Sequence, residues 1–335
     1  MTLLTLARAS VIVVTIVLLD GCGAASSTVT IPQEPSVVRK AQNSKSWMLP
    51  EAKSQDLLYV ARNGANEVSV YTYPKGKFVG SLTDIPMPSG VCSDIQGNVF
   101  VVTQSQQIYE YSHAGSKPIA TLDDFRNNPQ GCAVDPTSNN LAASGGNGSA
   151  NIAIYKNEQG TPTIYSEGSA AIFWNCTFDS EGNLFAPGST IYELPSGGAS
   201  FTSFTLRGAS IGGKPGIQWD GSYLAIQGTT GLKKGPNIIY QVQISGSTAT
   251  IVNQINLTDR RNNDPFRGAQ FWIGNETIVS PEALNKDVGV WHYPKGGQAY
   301  RTVRVNAEGG DLTAVTVSRA SRTHQRTFRL SRAQP

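Results

Sequence analysis

The chain has 335 residues, 39% hydrophobic and 15% charged, with 34 glycines and 12 tyrosines. This is enough apolar material for one sizeable core, and it excludes a collagen-like or wholly disordered chain. The net charge is +3, but residues 319–335 carry five arginines and no acid, so the remainder stands at −2 and gives no ground for nucleic-acid binding.

Taken in chain order, Arg8 precedes an apolar run over 11–19 that is too short for a transmembrane helix and suits the apolar region of a signal peptide. The run ends in Leu19-Asp20-Gly21-Cys22, which resembles the bacterial lipobox. That resemblance implies a lipoprotein signal peptide over 1–21, lipidation of Cys22, and a protein anchored to the membrane on its periplasmic or cell-surface face. The alternative is an ordinary cleaved signal peptide with Cys22 incidental; either way the protein is exported. Gly23 after the cysteine resembles the pattern of lipoproteins sent to the outer membrane. Residues 22–55 contain Ser, Ala and Pro without sustained periodicity and read as a tether.

Three strand-like stretches follow, at 57–61, 67–73 and 77–82. A repeat then begins: a glycine, an aspartate four residues on, a Gly-Asn turn, an apolar strand, a loop, and a strand containing an aromatic residue. It starts at Gly90, Gly131, Asn175, Gly216, Gly268 and Gly310, at spacings of 41, 44, 41, 52 and 42 residues. A period near forty with several short strands per unit points to a β-propeller. The last unit supplies one strand, 312–318, while the three N-terminal stretches lack a first strand. Joining them completes a blade and closes the ring, removing an open sheet edge. Val68-Ser-Val-Tyr-Thr-Tyr-Pro-Lys-Gly76 and Val288-Gly-Val-Trp-His-Tyr-Pro-Lys-Gly296 are near-duplicates, one on each side of that join. The expected fold is an all-β, six-bladed propeller of four-stranded blades over 56–318. The segment 319–335 reads as a basic disordered tail, with a patch for anionic lipid or polymer as the alternative.

Asp94, Asp135, Asp179 and Asp220 recur at one repeat position. Each precedes a Gly or Asn suited to left-handed backbone, so they read as turn residues rather than metal ligands. Cys92, Cys132 and Cys176 fall in successive first strands. Alternation puts Cys92 on the opposite face from the other two, so Cys92 and Cys132 can meet between neighbouring blades as a disulfide. Three buried thiols are the alternative. Tyr71, Tyr109, Tyr155, Tyr192, Tyr240 and Trp291 recur in third strands and read as packing between blades. No phosphate loop, serine elbow or zinc-binding spacing is present, so no catalytic residue is assigned.

In a propeller, the loops entering the innermost strands gather at one mouth of the central channel. Here they supply Gln130, Asn175, Lys214, Arg267 and Glu308 as a candidate ligand site. The loops at 227–237 and 280–287 add lysines, which favours an anionic or polyhydroxylated ligand, with a protein or peptide as the other partner class. Nothing demands a cofactor or an oligomer, so a monomer is expected.

The unit Gly131-Cys-Ala-Val-Asp-Pro136, with Gln218-Trp-Asp-Gly221 and Gly97-Asn98, resembles the NHL and SMP-30-like six-bladed propellers, including uncharacterised bacterial propeller lipoproteins. The resemblance covers 46–318 and implies fold more than activity, because this superfold hosts lactonases, lyases and pure binding modules. SMP-30-like lactonases hold a divalent cation with Glu, Asn and Asp. Asn175 and Glu308, with Asp311 nearby, match in type, whereas Lys214 and Arg267 oppose a cation. The sequence therefore favours a non-catalytic binding or scaffold module, with a metal-dependent hydrolase or lactonase as the alternative.

Overall fold

A computed structural model describes residues 45–124, 128–145, 150–168, 172–208, 211, 213–228, 237–258, 270–282, 286–305 and 311–321. The signal peptide, Cys22, most of the tether, Arg267, Glu308 and the tail beyond residue 321 lie outside them. Among the described residues the fold is all-β, with short 3-10 turns and no α-helix, and its arrangement is propeller-like.

The local cause lies in the turns that the repeat encodes. Asp179 Oδ1 accepts the Glu181 and Asn183 backbone N–H groups, each at 2.9 Å, and its Oδ2 accepts the Asn183 side-chain amide. Gly182 between them takes φ 81°, a conformation that costs glycine nothing. Asp94 bonds Asn98 in the same way, and Asp220 accepts from Ser222 and Tyr223. Each such turn reverses the chain out of a first strand, and the apolar residues that follow pair with it as an antiparallel second strand.

Four sheets stand separately. The first runs Trp47–Met48, Phe78–Leu82, Glu67–Thr72, Leu57–Arg62, Leu312–Ser318. The C-terminal strand thus pairs with the N-terminal fragment, Leu57 opposite Ser318. The second sheet is built from Pro88–Ser93, Val99–Thr103, Gln107–Tyr111 and Ala120–Asp123. The third holds Pro129–Val134, Leu141–Gly145, Ala150–Tyr155 and Thr163–Glu167. Another holds Trp272–Gly274, Thr277–Glu282, Asp287–His292 and Arg301–Arg304.

The remaining sheet departs from the expectation of six separate blades. It is continuous through nine strands: the edge strand Thr202–Arg207 pairs in parallel with the eleven-residue strand Thr248–Thr258, joining four strands to four, and Gly297–Gln298 adds to the end of Thr248–Thr258. Both would otherwise be open edges, and pairing them satisfies their backbone groups. A second departure lies upstream of residue 56. Trp47–Met48 pairs with Ser81 and Gly80, and a 3-10 turn over Pro50–Ser54 buries Ala52, so the sheet reaches into the segment read as tether.

The core is divided into clusters between consecutive units. One packs Tyr59 and Val68 on Val91 and Val101; the next joins Phe100 and Ile108 to Leu141 and Tyr155. Ala142 and Ile152 meet Phe178 and Leu184, and Phe185 and Ile191 meet Leu224 and Ile238. Ala225 and Ile239 meet Ile278 and Trp291, and Val288 and Val290 return to Leu58 and Val315. The third-strand aromatics lie in these clusters, Tyr155 and Trp291 almost fully buried and Tyr109 partly so. Each fully buried Val, Leu or Ile side chain contributes about 1.5–3 kcal/mol.

Candidate functional site

The first strands of successive units pack side by side around a central channel whose two ends differ. Glycine positions pinch one end. A Cβ on Gly90 would stand 2.7 Å from Gly131 Cα, and one on Gly131 would stand 2.5 Å from Asn175 Oδ1. With so little between the backbones, this end encloses only about 70 Å³, room for a water or two, lined by residues that include Ser89, Gln130, Asn175 and Lys214. Three of the sequence-derived candidates therefore meet here: Gln130, Asn175 and Lys214. Arg267 and Glu308 lie outside the described residues.

Their chemistry is mixed. Asn175 donates its side-chain amide to Pro215 O at 2.9 Å, while its buried Oδ1 has no partner among the described residues. Lys214 Nζ sits 4.1 Å from the centre of the Trp174 ring, a cation–π contact that holds a positive charge at the mouth. Among the described residues no group of three or more His, Cys, Asp or Glu side chains converges as metal ligands do.

Beyond the glycine positions the first strands carry Cys, Phe and Trp, and the channel opens to about 520 Å³. This cavity was not anticipated from the sequence. The available signal was the residue types one to four places after each repeat start, and reading it required knowing that these strands converge. Phe178, Trp219 and Trp272 form its aromatic wall, with Thr177, Gln218 and Arg319 among its polar residues. Thr177 Oγ1 accepts the Trp219 N–H at 3.0 Å. Gln218 exchanges two hydrogen bonds with the Ile273 backbone, at 2.9 and 2.6 Å.

Gln270 lines both ends. Its backbone bonds Thr313 and Val315, its Nε2 donates to Cys132 O at 2.7 Å, and its Oε1 accepts the Val91 N–H at 3.2 Å. One buried side chain thus ties three units together across the channel.

Several residues with chemical potential are held in structural roles. A disulfide links Cys92 to Cys132, Cα to Cα 5.7 Å, on the cavity wall. Cys176 is a free, buried thiol, its pKa pushed up to about 12 by desolvation, which leaves it protonated and unreactive. His113 faces Ser318 Oγ at 2.6 Å and Gln55 O at 3.1 Å, at the junction of the chain ends, and burial lowers its pKa. Asp94 lines the cavity but its carboxylate is held by Asn98; burial raises its pKa against those bonds.

No family model matches the chain, and none of the curated proteins does. Solved structures resemble it in fold. A protein of unknown function from Bacteroides caccae superposes with a TM-score of 0.60 at 13% identity, over 79% of this chain and all of its own. A functionally unknown protein from Desulfotomaculum acetoxidans gives 0.53 at 10% identity, over 80% of this chain and all of its own. The Cps50 (Swd1) β-propeller domain of Myceliophteria thermophila gives 0.50 at 9% identity, over 83% of this chain and 90% of its own. At these identities the likeness concerns the fold, and the fold is a β-propeller.

Proposed function

We propose that this chain is an exported, lipid-anchored lipoprotein whose propeller is a monomeric, non-catalytic binding module working through its central channel. The observation that carries the reading is the channel itself: first strands enclosing a cavity of about 520 Å³, within the range of small-molecule sites. It is supported by the engagement of Asp94, Asp179, Asp220, His113 and Cys176 in turns, junctions and core. The ring is read as six units of the NHL and SMP-30-like kind, the nine-stranded sheet being two blades fused at their edges. The six clusters that close back on the N-terminal fragment support that count. The anchor rests on Leu19-Asp20-Gly21-Cys22. Globomycin treatment, or Cys22→Ala, is expected to shift the protein from membrane to soluble fraction; unchanged fractionation under both contradicts the anchor.

A metal-dependent hydrolase or lactonase is the second reading, favoured by the buried Asn175 Oδ1 at the narrow end, which has no partner among the described residues. Lys214 at the same opening opposes a cation there. Elemental analysis of the purified protein separates the two readings. Less than stoichiometric metal is expected, and one equivalent of divalent cation lost in Asn175→Ala overturns the non-catalytic reading.

A further inference from the structure

The wide end of the channel has features that a structural void does not need. Trp219 and Trp272 are only partly buried, and Ile95, 69% exposed, stands at the same opening. Large exposed apolar groups at the lip of a cavity lose free energy to water and recover it when a ligand covers them. The Trp219 indole Nε1–H has no acceptor among the described residues, so no hydrogen bond fixes that ring. Gln270 lines the inner side of this cavity, held there by its bonds to Val91 and Cys132.

The charge in this pocket is unbalanced in availability. Asp94 has both carboxylate oxygens engaged by Asn98. The Arg319 guanidinium, by contrast, makes one hydrogen bond among the described residues, from Nη2 to Asn275 Oδ1 at 3.2 Å, and has five N–H donors. It stands near the aromatic wall, since both the Trp272 ring and Arg319 Nη2 come within 3.3 Å of where a Cβ on Gly274 would be. A planar fork of donors in the same cavity wall as two indoles suits a carboxylate or sulfonate attached to a flat apolar body.

We infer that the wide end of the channel binds a small aromatic organic anion, its ring system against Trp219 and Trp272 and its acidic group on Arg319. This rests on the binding-module reading and deepens it, assigning the end of the channel, the ligand class and the role of each contact. Thr177 and Gln218, fixed by backbone partners, give the pocket a rigid polar floor that needs no reorganisation when a ligand enters.

The test is equilibrium dialysis of the full-length chain with 2-naphthoate, its neutral counterpart 2-naphthamide, and maltotriose. One equivalent of naphthoate is expected to bind, with quenching of tryptophan emission. Arg319→Gln is expected to weaken naphthoate about tenfold, the size of one charge-assisted hydrogen bond, and to leave naphthamide unchanged. Trp219→Leu is expected to weaken both naphthalene probes. Naphthoate affinity unchanged in Arg319→Gln overturns the anion contact, and maltotriose binding in place of naphthoate overturns the ligand class. No naphthoate binding at all overturns the inference, while the metal analysis decides the non-catalytic reading separately.

Discussion

At the scale of single residues, close approach and burial decide more than residue type. Gly131 sits where neighbouring first strands meet backbone to backbone, and Asn175, whose Oδ1 blocks the space, is tied to Pro215 O. Gly131→Ala is therefore expected to cost roughly 1–3 kcal/mol in urea unfolding, whereas Gly168→Ala, with open space around it, should stay within about 0.5 kcal/mol. Glu158 gives a pH signature. Desolvation first, then the charges of Asp94 and Glu110, raise its pKa from 4.5 to about 7. The folded state then holds this proton more tightly than the unfolded chain, so folding binds protons between about pH 4.5 and 7. Stability contributed by this group falls as pH rises through that window and is level above it. Glu158→Gln should flatten that part of the stability curve; an unchanged slope contradicts the assignment. The repeated aspartates were legible as turn residues because the backbone bonds that make the turn are local, although Asp220 also accepts from Tyr293 in the next unit; the close glycine contacts were not legible, since each depends on a strand about forty residues away.

At the scale of elements, the pairing of strands was largely readable and their joining at edges was not. The alternation that put Cys92 and Cys132 on facing sides of neighbouring strands is a property of each strand alone. The disulfide in the structure closes a 40-residue separation, which is worth about 3–4 kcal/mol in the loop-entropy model. Thiol counting on the anchored protein under denaturing, non-reducing conditions should find Cys176 as the one reactive thiol, the Cys22 sulfur being taken up by the lipid; three reactive thiols contradict the bond. The parallel pairing of Thr205–Arg207 with Thr248–Thr250 leaves no trace in either segment's pattern, because edge-to-edge contact depends on the twist of two finished sheets. Trp47–Met48 was missed for a related reason. Two residues are too few to show a period, and their pairing with Gly80 and Ser81 depends on the edge that the N-terminal fragment presents.

At the scale of the whole molecule, one sequence position sets the shape of the channel. Gly90 and Gly131 at the start of their first strands let the backbones approach and leave about 70 Å³, while the aromatic and sulfur-containing residues beyond them line about 520 Å³. Of the five residues that the sequence grouped at a channel mouth, Gln130, Asn175 and Lys214 line the narrow end and Arg267 and Glu308 lie outside the described residues, while the wider end emerged only from the packed ring. Gln270 lines both ends and is fixed by its bonds to Val91 and Cys132. The account's central claim is that binding takes place at the wide end. Hydrogen exchange of the full-length chain, with and without 2-naphthoate, tests it most directly. Slowed exchange is expected in the Asp94–Asn98 turn and around Gly274 and Asn275, with residues 88–90 and 129–131 unaffected. Slowing confined to 88–90, 129–131 and Asn175, or no change anywhere, would contradict it.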